Sequence, residues 1–245
     1  MNSISPSGHL QQQTTKTVLS SAADKSGLPA GTLVHIGEKH ESKCKISVTQ
    51  YNADILTRDE ITSIAELQHL KNAELITWVN VDGLSDIHIV ESIGQELNIH
   101  PLVLEDILST HQRPKLEEYE DFLYMVIKGI NLNQEKNFSL QYEQISILLL
   151  ADYVVTFKEK ADDTFDPIYN HLQNRNGRLR QFGSDYLAYV ILDTIVDEYF
   201  VVEDSLDDVI DPLEDGILFN SSKEMLQTVQ QIRRGQPARE LFSEV

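Results

Sequence analysis

The chain has 245 residues, 41% apolar and 24% charged, enough to bury a substantial core as one large domain or two modest ones. Its 39 acids against 20 bases give a formal net charge of −19, which argues against nucleic acid as the main partner, because phosphate binding needs basic surface. Cys44 is the sole cysteine, which excludes an internal disulfide and a cysteine-rich zinc site. No basic, apolar secretory signal opens the chain, and no run reaches the roughly 18 to 20 apolar residues needed to cross a bilayer, so the polypeptide is expected to be soluble.

In chain order, residues 1–27 are rich in Ser, Thr, Gln and Gly and read as a disordered leader. GTLVHIG (31–37) and KISVTQYN (45–52) read as strands, with β-branched residues bounded by glycine or charge. Residues 58–70 suit a helix, and ITWVNVDG (76–83) a buried strand ending in a turn. SDIHIVESIGQEL (85–97) has an acid-capped start and helical apolar spacing. HPLVLEDILSTHQRPK (100–115) opens as a short helix, with His100 at the N-cap and Pro101 in the first turn.

A strand is expected from about Phe122, followed by QISILLL (144–150) and YVVTFKE (153–159), then a helix from Phe165 to Asn174. Strands mixed with helices and hairpin-like neighbours define an α/β fold, an α/β/α sandwich on a mixed sheet spanning 28–183. Trp78 and Tyr124 lie in strand patterns and are expected in the core. Arg175, Arg178 and Arg180 form a short basic patch, read as surface or subunit-contact charge. His111 is read as a packed or hydrogen-bonded histidine.

From Ser184 the pattern turns helical for some 35 residues, about 50 Å at 1.5 Å per residue, a length suggestive of a stalk or an oligomer interface. Residues 184–245 are therefore set apart as a long acidic helix with a second helical piece, SKEMLQTVQQIRR, after a turn at 220–222. Pro212 is a candidate kink. Between Gln181 and Ser222 there are 11 acids and no Lys or Arg. On a helical wheel Asp193, Asp197, Asp204, Asp208, Asp211 and Asp215 fall within about 60° of one another, opposite Ile191, Ile195 and Val202.

Aspartate is a poor helix former, and like charges at i and i+4 repel. A solvated face ordinarily mixes signs, so an all-Asp stripe is better explained by a cation lying against it. Carboxylate oxygens without clustered Cys or His suit hard ions, and scattered acids acting through retained waters suit Mg2+ better than Ca2+. Bases of a neighbouring subunit are the alternative counter-charge. Glu105 and Asp106 pose the same question on the short helix. They lie near its negative pole, where cations are preferred, and they diverge by about 100°, so they cannot easily grip one ion together.

HPLVLEDILSTHQRPK, YEDFLYMVIK, EQISILLLADYVVTFKEK and the D-x-x-x-D helix, in this order, resemble the cytoplasmic domain of CorA-type magnesium transporters. The resemblance covers roughly residues 28–235, and GQPARELFSEV after Arg234 departs from it. It implies a homopentamer at the cytoplasmic face of the inner membrane, carrying Mg2+ and also Co2+. The membrane would be reached through two C-terminal spans, with a Gly-Met-Asn signature between them, that this sequence lacks. It further implies regulatory metal sites between subunits, with Glu105 and Asp106 in separate sites and Asp193 and Asp197 on the facing helix. Asp204, Asp208, Asp211 and Asp215 extend the cation stripe.

The alternatives are a zinc-transporting relative and a carboxylate-based metal-dependent hydrolase. The hydrolase lacks sequence support: no G-x-S-x-G, H-E-x-x-H, P-loop or G-x-G-x-x-G is present. The expectation is a non-enzyme.

Overall fold

The central strands of the main sheet are buried on both faces, and each face recruits its own helices. The computed structural model describes residues 18–19, 32–36, 44–70, 72–133 and 139–219. The strands are β1 (Val18–Leu19), β2 (His35–Ile36), β3 (Lys45–Tyr51), β4 (Leu56–Ile61), β5 (Ile76–Asp82), β6 (Lys115–Glu118), β7 (Leu123–Asn133), β8 (Ser139–Leu149) and β9 (Tyr153–Lys158). The helices are α1 (Ile64–His69), α2 (Ile87–Glu96), α3 (Pro101–Leu108), α4 (Asp166–Gln173) and α5 (Ser184–Phe219).

The main sheet has the order β4-β3-β5-β9-β8-β7-β6. Only β5 and β9 pair in parallel there, with Trp78 opposite Val154; the other neighbours are antiparallel. β1 and β2 form a separate two-stranded parallel pair, so Val18–Leu19 of the expected leader are paired. The rest of that leader, the helical piece after Asn220 and the tail after Arg234 lie outside the described residues.

On one face, Val48, Val81, Tyr124 and Phe157 pack against Val90 and Ile93 of α2 and Val103 and Ile107 of α3. On the other face, Tyr51, Trp78, Ile145, Ile147 and Val154 pack against Ile168 and Leu172 of α4 and Leu187, Ile191 and Ile195 of α5. Each such aliphatic side chain stabilises the fold by about 1.5–3 kcal/mol through burial. Trp78 is fully buried. It stacks on Tyr169 at 4.6 Å, and its Nε1 donates to Thr156 Oγ1 at 3.0 Å.

Two expectations require correction, and one edge strand is added to them. Residues 58–61 belong to β4, not to a helix: Asn52 Oδ1 accepts from the N–H groups of Asp54 and Ile55, closing a tight turn that pairs Ile46 with Ile61. The helix begins only after Ser63, where Ser63 and Glu66 form a capping box. Residues 115–118 form an edge strand, β6, paired with β7. Arg180 is not surface charge but is buried, donating to the carbonyls of Asn52, Ala53, Ile55 and Leu172. Its fork satisfies four backbone acceptors at a loop crossing that no local pattern announces.

Helix α5 continues for 36 residues, past Pro212, about 54 Å at 1.5 Å per residue. Ser184 Oγ donates to Leu150 O and Ala151 O at 2.9 and 2.7 Å, and the Tyr199 hydroxyl donates to Lys128 O. These bonds pin its first half to the sheet.

Candidate functional site

Helix α3 is built locally as its sequence requires. His100 Nδ1 accepts from the Leu102 N–H at 3.2 Å, and Pro101 occupies the first helical position, where its missing N–H costs nothing. Val103, Leu104, Ile107 and Leu108 are buried. Gly94 of α2 lets α3 approach closely, since a Cβ there would lie 2.3 Å from Leu104 Cδ1. Asn98, with φ 55°, turns the chain between the two helices in the left-handed region that asparagine tolerates. Glu105 and Asp106 are left half-buried on the flank of α3.

Asp106 is well engaged. Its Oδ2 lies 2.6 Å from Lys115 Nζ, its Oδ1 accepts from Gln112 Nε2 at 3.0 Å, and its backbone carbonyl accepts from Gln144 Nε2 at 3.1 Å. Lys115 Nζ also donates to Glu117 Oε1 at 2.8 Å, and the Tyr119 hydroxyl donates to Glu117 Oε2 at 3.1 Å. Burial works against the Lys115 charge, but the hydrogen bonds to Asp106 and Glu117 outweigh it and hold the amine above the ordinary lysine pKa. The Lys115 hydrogen bond in turn lowers the Glu117 pKa. His111 is exposed rather than packed.

On α5, Asp193, Asp197, Asp204 and Asp208 are all exposed. Asp193 has a long hydrogen bond from the Tyr189 hydroxyl, 3.5 Å. Asp211 and Asp215 lie on the same helix, beyond the residues whose side chains are described. Exposed apolar residues accompany the acids: Tyr189 (54% exposed), Val196 (41%) and Phe200 (58%). They recur at spacings of seven and four, the seam spacing of a helix that packs on another element. The sequence does not mark this seam, because only their exposure distinguishes these three residues from the other apolar residues of the helix.

The structure keeps the two acid groups apart. Helix α3 belongs to the core on one face of the sheet and α5 to the core on the other. Among the described residues no group of three or more His, Cys, Asp or Glu is placed to hold one metal ion. Asp193 and Asp197, exposed at i and i+4, suit a hydrated hard cation. Asp106 suits one only if Lys115 gives way, because both its oxygens already have donors.

A further acidic group lies between the sheet and α5, where Glu143 (β8), Asp162 and Glu198 (α5) line a small cavity of about 60 Å³ with Lys160 and Ile195. Burial, then the charge of Asp162, pushes the Glu143 carboxyl up to about 8. Burial followed by Asp163 and Asp162 raises Glu198. Nearby Lys158 is fully buried and paired with Asp162. No sequence spacing links these residues, which come from three elements.

The fold is thus a mixed-sheet α/β domain that runs on into a long, acid-faced helix. Residues 73–236 match the family described as CorA-like Mg2+ transporter protein. The chain is 36% identical over 210 residues to the cobalt/magnesium transport protein CorA of Thermotoga maritima, covering 86% of this chain and 59% of that relative. The chain belongs to the CorA-like family. It spans 59% of the length of that curated relative.

In fold it is similar to the soluble domain of CorA from Methanocaldococcus jannaschii, with TM-score 0.55 and 15% identity over 77% of this chain and 71% of that one. It is also similar to the ZntB cytoplasmic domain from Vibrio parahaemolyticus, with TM-score 0.53 and 12% identity over 77% and 74%. Among the described residues no helix is long and apolar enough to cross a membrane.

Proposed function

We propose that this chain is the cytoplasmic Mg2+-sensing region of a pentameric divalent-cation transporter at the inner membrane, carrying Mg2+ and Co2+, and that it is not an enzyme. The observation that carries the reading is the placement of the acids. Glu105 and Asp106 lie on one side of the sheet and Asp193 and Asp197 on the other, so one copy can present α3 to the α5 of its neighbour. The exposed Tyr189, Val196 and Phe200 beside those aspartates supply an apolar seam for such a contact, since solvent-facing apolar rows of this kind mark interfaces.

Carboxylates converging from two subunits repel one another. A divalent cation between them turns that repulsion into a bridge that holds the ring closed. When cytoplasmic Mg2+ falls, the aspartates of α5 and the acids of α3 push apart and the pore is released. Asp204, Asp208, Asp211 and Asp215 continue the negative face along α5 and concentrate hydrated cations near the pore entrance. A zinc-transporting relative is the second reading, but zinc favours His and Cys ligands, and the acids assigned here are all carboxylates.

The test is thermal unfolding and sedimentation of the chain with and without Mg2+. Binding to the folded state stabilises it by mass action, about 1.4 kcal/mol at a tenfold excess over Kd, or about 3–6 °C in a domain of this size. Asp193→Ala combined with Asp197→Ala is expected to abolish most of that gain. An assembled oligomer indifferent to Mg2+ would defeat the reading.

A further inference from the structure

Lys115 occupies the position that a cation would take at Asp106. Its ammonium is 2.6 Å from Asp106 Oδ2 and 2.8 Å from Glu117 Oε1, so one amine is shared by two carboxylates on different elements, α3 and the edge strand β6. The lysine is three-quarters buried, with its side chain 24% exposed, and its Nζ lies 5.2 Å from the centre of the Tyr124 ring. The amine is therefore held in place and is not a mobile surface charge. The Glu117 carboxylate is itself fixed by the Tyr119 hydroxyl at 3.1 Å, so a partner remains for the amine whenever it leaves Asp106.

A divalent cation approaching Asp106 meets a like charge within hydrogen-bond distance of its ligand oxygen. The two compete for one carboxylate.

We propose that Lys115 is a built-in competing cation at Asp106, transferred onto Glu117 when a divalent ion takes that carboxylate, and that it sets the Mg2+ concentration at which the site fills. This rests on Asp106 serving as a metal-sensing acid. Lys115 acts as a positioning residue, since it touches the ligand and not the metal. Glu117 works in the opposite direction, because an amine with a good alternative partner yields Asp106 more readily. Removing the amine therefore eases metal binding, and removing Glu117 hinders it. A purely structural ion pair has no such opposition: either substitution would lower stability and leave the metal threshold where it was.

The experiment measures the Mg2+ concentration giving half-maximal thermal stabilisation for the unmodified chain, Lys115→Met and Glu117→Gln. Lys115→Met keeps the apolar stem against Tyr124 and is expected to lower the half-point about tenfold, the effect of one close charge on a partly buried carboxylate. Glu117→Gln is expected to raise it severalfold. If the unmodified chain responds to Mg2+ while Lys115→Met leaves the half-point unchanged or raises it, the competing-cation inference fails and the sensor reading survives. Should Lys115→Met not fold, Glu117→Gln at the exposed edge decides alone, and an unchanged or lowered half-point overturns the inference. If the unmodified chain shows no response, the sensor reading fails and takes this inference with it.

Discussion

Glu143→Gln tests how the sheet holds α5. Burial, the Asp162 charge and the hydrogen bond to Asp162 raise the Glu143 carboxyl from 4.5 to about 8, against the partial opposition of Lys158. A carboxyl whose folded pKa lies above its unfolded value favours folding while it is protonated. Its contribution is fully present below pH 4.5 and is lost progressively until pH 8. At about 1.4 kcal/mol per pH unit, the penalty reaches about 3 kcal/mol at pH 7 and about 5 kcal/mol above pH 8.

Glutamine keeps the shape and a donor for Asp162 but cannot ionise. Thermal unfolding between pH 5 and pH 9 should show Glu143→Gln and the unmodified chain nearly equal at pH 5. Near pH 7 the variant should unfold about 6–12 °C higher, taking about 2–4 °C per kcal/mol for a chain of this size. Above pH 8 the gap should level off. A constant difference across that range, or a variant that is less stable at pH 8, refutes the reasoning.

Lys158→Met leaves Asp162 and Asp82 beside a buried site without their ammonium. A loss of about 3–5 kcal/mol is expected, read by urea unfolding, and it should shrink at acid pH, where protonation relieves the stranded carboxylates. Gly94→Ala places a methyl 2.3 Å from Leu104 Cδ1. The overpacking should cost about 1–3 kcal/mol, outweighing the helical gain of about 1 kcal/mol, and it should shift α3, seen as changed Mg2+ response along with lower stability. Without Mg2+, Asp193→Ala with Asp197→Ala should leave the chain more stable, by about 1 kcal/mol, because it removes an i,i+4 repulsion and replaces two poor helix formers with alanine. A marked loss of stability would instead show those aspartates to be structural.

The sequence by itself determined the features that depend on near neighbours. His100 and Asp86 cap helices through their own side chains, the buried runs at 76–82 and 153–158 form strands, and the 3.6-residue periodicity of α5 persists for 36 residues. Residues 58–61 read as the start of a helix because their composition is neutral, and only pairing with β3 makes them strand; the Ser63–Glu66 capping box marks the true start.

Tertiary structure alone decided which distant groups meet. Asp106 met Lys115, Glu143 met Asp162 beneath Glu198, and Arg180 reached the carbonyls of the 52–55 turn. Sheet order also put α3 and α5 on opposite faces. Capping and periodicity are fixed over one or two turns of chain, whereas ion pairing and burial follow from strand order, which brings together residues as far apart as Asn52 and Arg180.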